Sequence, residues 1–330
     1  MAQDMRLPSV LISYPGPCEN YLCNDIFIYL RPETNGVEVE STLLRVVRNN
    51  GEYRDSIKLV YLANIPGDFI VKNKIVEEHY SCQIYFAEGG KECFTENMKR
   101  IFESYFHQSL KTAEVISPFQ AMKQLSMDAD ELFNIRVPLK DMLLINGQSI
   151  KKYKNIFIIN YDIPAILHKN NNKTDIAAMI LRTNLEYSKI HRLIDDMGEA
   201  LIDANILRFD KPLSRVFHYS KGPFNQIRDA LGYLYQSADI HVPISKITFA
   251  AFLIDKGFSE KEILKVIRNP IIQFRTRSGD IAENDIFSFT ANDSFSAAAE
   301  KLVRSVSKPG VLALTPGRTE ADTPCPPAGA

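Results

Sequence analysis

The sequence predicts an α/β or α+β protein, with a mixed N-terminal α/β domain followed by an α+β domain that ends in a helical C-terminal subdomain. Short apolar runs alternate with amphipathic stretches over the first 135 residues, and strand-like runs precede helix-like stretches after them. The charge divides at the same place, with 13 Lys and Arg against 19 Asp and Glu in 1–135 but 24 against 19 in 136–305. We therefore predict an acidic α/β domain over 1–135 and a basic α+β domain over 136–305.

The N-terminal elements follow from apolar spacing and from Gly, Pro and Asn breaks. Short runs rich in β-branched and aromatic residues predict strands at 25–30, 57–63 and 82–87. Apolar residues at helical spacing predict helices at 37–49, 72–80 and 94–107. The regular alternation indicates strands and helices packed in layers.

The second half begins with a predicted β-hairpin over 141–152, because Asn146-Gly147 suits a type I′ turn. Two apolar segments, 155–163 and 175–183, are expected to pair as an antiparallel ribbon. Helices are predicted at 186–205, 224–235 and 293–306, and β-like runs at 271–276 and 286–290. A helix pair is predicted over 247–267, with Ser259 and Glu262 at capping-box spacing at the start of its second helix.

The two ends of the sequence and its cysteines bear on the cellular compartment. Residues 306–330 are rich in Pro, Gly, Ala and Thr without any period, which predicts a disordered tail. The sequence begins without an apolar run suited to a signal peptide, and no apolar stretch reaches the roughly 20 residues of a membrane span. Five cysteines, an odd number, favour reduced thiols. These features predict a soluble, cytoplasmic protein that does not engage a membrane.

Motifs for catalysis and for cofactors are missing from the sequence. Neither glycine-rich phosphate loop occurs, and no spacing of His, Cys, Asp and Glu matches a known metal motif, so we expect neither a cofactor nor a metal. The remaining catalytic candidates are Asp162, which lies in an apolar segment before a proline, together with His168 and His191. His191 precedes Asp195 by four residues on a predicted helix, which permits a surface pair or a catalytic dyad.

One segment concentrates positive charge. Residues 246–277 have the length and the central glycine of a helix-turn-helix, an element that can place its second helix in a DNA groove. From 256 to 277 six basic residues face two acidic ones, a net charge of +4. The candidate nucleic-acid contacts are Lys256, Lys261, Lys265, Arg268, Arg275 and Arg277.

Three classes of function follow. The first is a non-enzymatic interaction or regulatory protein that binds a protein partner or a second copy, which the absence of catalytic motifs favours. The second is a nucleic-acid-binding regulator that uses residues 246–277. The third is an enzyme with a non-standard site near Asp162.

Overall fold

The computed structural model describes residues 5–171, 173–276 and 279–305. It contains about 49% helix and 22% strand in several small sheets, which confirms the predicted mixed α/β or α+β class. The predicted disordered tail, 306–330, lies outside the described residues.

The described strands form four sheets. Their bounds are β1 Ser9–Ile12, β2 Asn24–Leu30, β3 Ile57–Ile65, β4 Glu114–Ile116, β5 Met142–Ile145, β6 Gln148–Tyr153, β7 Ile156–Ile159, β8 Ile176–Thr183, β9 Phe217–Tyr219, β10 Tyr235–Ser237, β11 Ile240–His241, β12 Ile271–Arg275 and β13 Ile281–Asp285.

The helices lie between and after these strands. Their bounds are α1 Val37–Asn49, α2 Gly51–Ser56, α3 Gly67–Lys72, α4 Ile75–His79, α5 Ser81–Gly89, α6 Glu96–Phe106, α7 Pro118–Leu125, α8 Ala129–Asn134, α9 Ile163–Lys169, α10 Tyr187–Asp203, α11 Pro223–Tyr233, α12 Thr248–Asp255, α13 Glu260–Arg268, α14 Ile286–Phe289 and α15 Phe295–Val303.

The central sheet has the order β1-β3-β8-β2-β9, and every neighbouring pair is antiparallel. Side chains of its middle strand β8 alternate between two cores, because successive residues of a strand face opposite sides. Ala178 and Ile180 pack beneath α11, α12, α13 and α15, whereas Met179 and Leu181 pack against α1 and α10. The sheet is therefore covered by helices on both faces.

A second sheet, with the order β4-β7-β6-β5, is built from the chain between β3 and β8. Its β5–β6 hairpin turns at Asn146 and Gly147, which have φ angles of 49° and 74°, so the predicted turn is confirmed. Phe157 of β7 packs against Phe102 of α6 on one face, and Ile158 packs on the other face with residues of α7 and α8.

Three local predictions were wrong. Residues 82–87 form part of helix α5 rather than a strand, since Cys82 and Phe86, four residues apart, are buried on one helical face. Residues 286–289 form the short helix α14 rather than a strand, and the strand that pairs with β12 is β13. The predicted ribbon of 155–163 with 175–183 does not form, because β7 belongs to the second sheet and β8 to the central one.

The cysteines depart from the expectation of reduced thiols. Cys18 and Cys23 form a disulfide with their Cα atoms 6.2 Å apart, within the usual range for this bond. Cys82 and Cys93 are free, and Cys325 lies outside the described residues. The disulfide closes the short segment that leads into β2.

A buried ionic network joins the N-terminal segment, the central sheet and α12. The Asp25 carboxylate accepts hydrogen bonds from Arg182 Nε at 2.7 Å, from the Tyr14 hydroxyl at 2.6 Å and from Thr248 Oγ1 at 2.5 Å. Asp25 on β2 and Arg182 on β8 are cross-strand partners in the register. Because Asp25 is only 3% exposed, its charge depends on these protein donors.

The charge division does not coincide with a division of the central sheet. Strands β1, β2 and β3 precede residue 135, whereas β8 and β9 follow it, so the acidic and basic parts of the sequence share this sheet. Within the described ranges, no helix has the length and apolar character required to cross a membrane.

Candidate functional site

A cluster of aromatic and imidazole rings lies where β2, β9 and α11 meet. Tyr29 and His218 are direct cross-strand partners, and their rings stack with centroids 4.6 Å apart. Helix α11 covers this face of the sheet and places Tyr233 against Tyr29 at 4.3 Å, also stacked. His79, at the end of α4, meets the Tyr29 ring edge-on at 6.0 Å.

A buried carboxylate lies beside both imidazoles. Asp229 Oδ2 is 3.3 Å from His218 Nε2, and Asp229 Oδ1 is 3.7 Å from His79 Nε2. Asp229 is fully buried, and four residues separate it from Tyr233, so both side chains lie on the same face of α11. Asp229 Oδ1 and His79 Nδ1 have no hydrogen-bond partner.

Burial sets the charge of the two histidines. It lowers the pKa of His79 well below its usual value, and the nearby Arg228 and His218 lower it further. Burial also lowers the pKa of His218, although Asp229 raises it in part. Both imidazoles are therefore expected to be neutral at pH 7.

A cavity of about 220 Å³ opens next to this cluster, and Tyr29 and Tyr233 contribute to its wall. Two more aromatic rings, those of Tyr80 and Phe133, also line it. The charged residues on its surface are Arg31, Glu33, Asp162, Lys169 and Arg215. The cavity thus combines flat apolar walls with an excess of basic groups.

Arg31 follows β2 and is partly buried. Its Nε donates to the Ser214 carbonyl oxygen at 3.1 Å, its Nη1 lies 3.5 Å from the Tyr80 hydroxyl, and its guanidinium lies over the Tyr29 ring at 5.6 Å. None of these partners is a carboxylate. The positive charge of Arg31 is therefore not neutralised by a direct ion pair.

Arg215 also lacks an acidic partner, whereas Lys169 has one. Arg215 Nη2 donates to Asn134 Oδ1 at 3.2 Å, and its buried Nε has no hydrogen-bond partner. Lys169 Nζ instead lies 2.8 Å from Glu33 Oε1. Two of the three cations on the cavity wall thus lack an acidic partner.

Asp162, the first catalytic candidate from the sequence, lies on the cavity wall at the start of α9. Ser149 Oγ donates to its Oδ1 at 3.4 Å. Burial raises the pKa of this carboxyl above its usual value, although Ser149, Lys151 and Arg31 oppose the shift. The carboxyl group therefore lies within the cavity wall, where a molecule in the cavity could form a hydrogen bond with it.

The structure does not bring the other two candidates to this site. His168 is exposed on α9 and does not line the cavity. His191 lies on α10, where its Nε2 is 2.8 Å from Asn292 Oδ1, so it forms no dyad with Asp195.

The candidate nucleic-acid residues lie on or beside the predicted helix pair. Helices α12 and α13 are present, and the Ser259–Glu262 capping box forms at the start of α13. Arg277 lies outside the described residues. The other five basic side chains are exposed, namely Lys256, Lys261, Lys265, Arg268 and Arg275.

Most of this site has no local signal in the sequence. His79, His218 and Asp229 converge only because β9 pairs with β2 and α11 packs over both, and their separations match no motif. Tertiary structure also brings Arg31 close to Arg215, because Arg31 Nε donates to the carbonyl oxygen of Ser214, the residue before Arg215. An apolar strand that ends in a basic residue, as β2 does before Arg31, is the one feature that could have suggested a charged pocket at the end of the strand.

No protein-family model, no curated protein and no solved structure matches this chain.

Proposed function

We propose that the protein is a non-enzymatic binding protein that takes a small organic anion into the cavity beside Tyr29. One observation carries the proposal: Arg31 and Arg215 line the cavity without any carboxylate partner among the described residues. Buried or partly buried cations are normally paired, because removing a charge from water is costly. An anion in the cavity would supply the missing partner.

The residues also indicate the kind of anion. A guanidinium group offers a planar fork of donors that matches a carboxylate or a phosphate. The buried Nε of Arg215 is a donor without an acceptor, and such groups in proteins are rare. The rings of Tyr29, Tyr80 and Phe133 suit a flat apolar body. The expected ligand is therefore an aromatic carboxylate or an aromatic phosphate ester.

Binding can be measured by calorimetry and thermal shift with benzoate and phenyl phosphate as probes and benzylamine as a cationic comparison. We expect the anions to bind and benzylamine to fail. Arg215→Gln removes a charged donor worth about 1.5–3 kcal/mol, so its affinity should fall about tenfold to a hundredfold. Arg208→Gln is the matched control, because Arg208 is 78% exposed and pairs with Asp210 away from the cavity.

Two results would contradict this function. The first is equal binding of benzylamine and the anions, which would remove the role of the guanidinium groups. The second is anion binding that survives unchanged in the Arg31→Gln and Arg215→Gln variants while both remain folded by circular dichroism.

Nucleic-acid binding is the second candidate function, and the exposed face of α13 favours it. Lys261, Lys265 and Arg268 follow one another at spacings of four and three residues, so they lie along one side of the helix. The hairpin β12–β13 follows directly and carries exposed Arg275. A basic helix beside a basic hairpin can meet the phosphates of a duplex.

Fluorescence anisotropy with a labelled DNA duplex and a labelled single-stranded RNA tests this candidate. Binding should weaken steeply with added salt, and Lys265→Glu or Arg268→Glu should weaken it further. Arg208→Glu makes the same charge change on another exposed surface and should have little effect. Indifference to salt and to both α13 variants would remove this function.

Association with a protein partner or a second copy also remains a proposal. Strand β5 forms an edge of the second sheet, and its Leu144 is 69% exposed beside Leu139 at 84%. Exposed apolar edge strands are prone to pair with another chain. Size-exclusion chromatography should show self-association that Leu144→Lys abolishes, and a monomer at all concentrations would contradict it.

A cytoplasmic location is likewise proposed from the sequence, and the Cys18–Cys23 disulfide bears on it. Such bonds persist mainly in oxidising compartments. Alkylation of thiols in freshly lysed cells, followed by mass spectrometry, should find Cys18 and Cys23 alkylated if the protein is kept in a reducing cytoplasm. Finding them linked would assign an oxidising compartment instead.

A further inference from the structure

Three side chains of the type that binds metals converge beneath the cavity wall. The side chains of His79, His218 and Asp229 come from α4, β9 and α11, and each contributes one donor atom to a group in which all lie within 4.8 Å of one another. His218 Nε2 lies 3.3 Å from Asp229 Oδ2, and His79 Nε2 lies 3.7 Å from the other oxygen of the same carboxylate, Oδ1. Donors about 2.0–2.2 Å from a tetrahedral zinc ion lie about 3.3–3.6 Å apart. The two nitrogen–oxygen contacts lie at or close to this range, so a small movement of the side chains would let the three groups share one ion.

The Asp229 carboxylate also lacks a partner that could neutralise it. Its side chain is fully buried, its Oδ1 accepts no hydrogen bond, and among the described residues its only ion-pair neighbours within 4 Å are the two imidazoles. No Lys or Arg of the described residues pairs with it, although Arg228 is its neighbour in the chain. Buried carboxylates are normally paired with a cation or bound to a metal. The Oδ1 atom, which accepts no hydrogen bond and lies 3.7 Å from His79 Nε2, is a second sign of a missing cation.

The donor set indicates which cation would fit. Two imidazole nitrogens and one carboxylate suit first-row transition ions, whereas Mg²⁺ and Ca²⁺ prefer oxygen donors throughout. Three protein donors also leave a coordination position open, as catalytic zinc sites do. The Tyr29 hydroxyl lies 3.5 Å from His79 Nε2, and Tyr29 also lines the cavity, so its ring stands between the three donors and the cavity.

We propose that His79, His218 and Asp229 bind one divalent first-row transition ion, for which Zn²⁺ is the natural probe. This site does not depend on the binding of an organic anion in the cavity, because none of its three ligands is a cavity cation. It also differs in chemistry from the proposed anion site, since it takes a cation.

The test uses the full chain without a histidine tag, stripped with a chelator and then dialysed. One Zn²⁺ per chain is expected by elemental analysis after reloading, with an increase in Tm. Co²⁺ substitution should give visible ligand-field bands without a thiolate charge-transfer band, because the donors are nitrogen and oxygen. Asp229→Asn and His218→Gln should each weaken binding at least tenfold, while His168→Gln, which changes an exposed histidine on α9, should leave it unchanged.

Some outcomes overturn the proposal. Less than stoichiometric Zn²⁺ in the reloaded wild-type protein would mean that the three side chains form only a hydrogen-bonded cluster. Full Zn²⁺ binding by a folded His218→Gln variant, or a thiolate band with Co²⁺, would place the metal elsewhere. If Asp229→Asn fails to fold, His79→Gln serves as the second ligand variant. The anion proposal is tested separately by Arg215→Gln, which should keep its Zn²⁺.

Discussion

Replacing the charged side chain of Arg182 should show how much the buried network around Asp25 contributes to the free energy of unfolding. In the Arg182→Met variant the Asp25 carboxylate, 3% exposed, would keep donors from Tyr14 and Thr248 but lose both guanidinium bonds, at 2.7 and 2.9 Å. Removing one partner of a buried ion pair leaves an uncompensated charge and costs about 3–5 kcal/mol. We therefore expect the free energy of unfolding to fall by about that amount.

The double variant Asp25→Asn with Arg182→Met separates charge from packing. The asparagine oxygen can still accept from Tyr14 and Thr248, while the unpaired charge is gone. The double variant should therefore be more stable than Arg182→Met alone, with a loss nearer to about 1–2 kcal/mol. The Arg208→Met variant is the control, because exposed ion pairs such as Arg208–Asp210 contribute about 0–1 kcal/mol.

Urea unfolding followed by circular dichroism measures these differences, with the midpoints compared at a shared slope. An Arg182→Met variant that loses no more stability than Arg208→Met would show that the buried ion pair contributes little. A double variant that is less stable than Arg182→Met would show that the loss arises from packing rather than from an unpaired charge.

Further predictions concern pH, packing and thiol reactivity. Burial lowers the pKa of Lys151 from 10.5 to about 8, so the unfolded chain binds this proton more tightly than the folded protein does. As the pH is raised from about 8 to 10.5, the free energy of unfolding should therefore increase. Urea titrations should show this increase in the wild-type protein but not in Lys151→Met. Gly67→Ala would place a Cβ 2.5 and 2.6 Å from two carbonyl oxygens, so it should lower the free energy of unfolding by about 1–3 kcal/mol. Gly51→Ala is the control, because Gly51 is also the first residue of a short helix but has open space around it, and it should not lower the free energy of unfolding. Burial raises the pKa of Cys82 to about 12, so iodoacetamide at pH 8.5, about the usual pKa of a cysteine, should leave Cys82 unmodified in the folded protein. Peptide mass mapping should find Cys93, which is less buried, alkylated before Cys82. A flat pH response, an unaffected Gly67→Ala or rapid alkylation of Cys82 would each contradict the corresponding statement.

The sequence predicted elements where local pattern and tertiary environment agree. The apolar run of β2 and the Asn146-Gly147 turn gave correct local structure, because a buried strand and a type I′ turn have short-range signatures. Residues 82–87 gave the wrong element, since a short apolar run fits a buried strand and a buried helix equally well. Packing of α5 against the second sheet decides between them, and that packing is not written locally.

Of the catalytic candidates from the sequence, Asp162 alone lies at the candidate site. Asp162 was a sequence candidate because an acid in an apolar segment is unusual, and it does lie on the cavity wall. The partners that define the site, such as Arg31, His218 and Asp229, are brought together by strand pairing between distant segments. Their chemistry therefore becomes visible only once the order of the central sheet is known.

The order of the central sheet has a consequence for how the chain is made. Strand β2 pairs with β8 and β9, so residues 24–30 are synthesised long before either neighbour, and the whole second sheet is translated in the interval. During that interval a strand that is almost completely buried in the folded protein has no partner and is open to wrong pairing. Nascent chains that end before residue 176 should therefore need a chaperone, and release of that chaperone should follow the emergence of β8 from the ribosome.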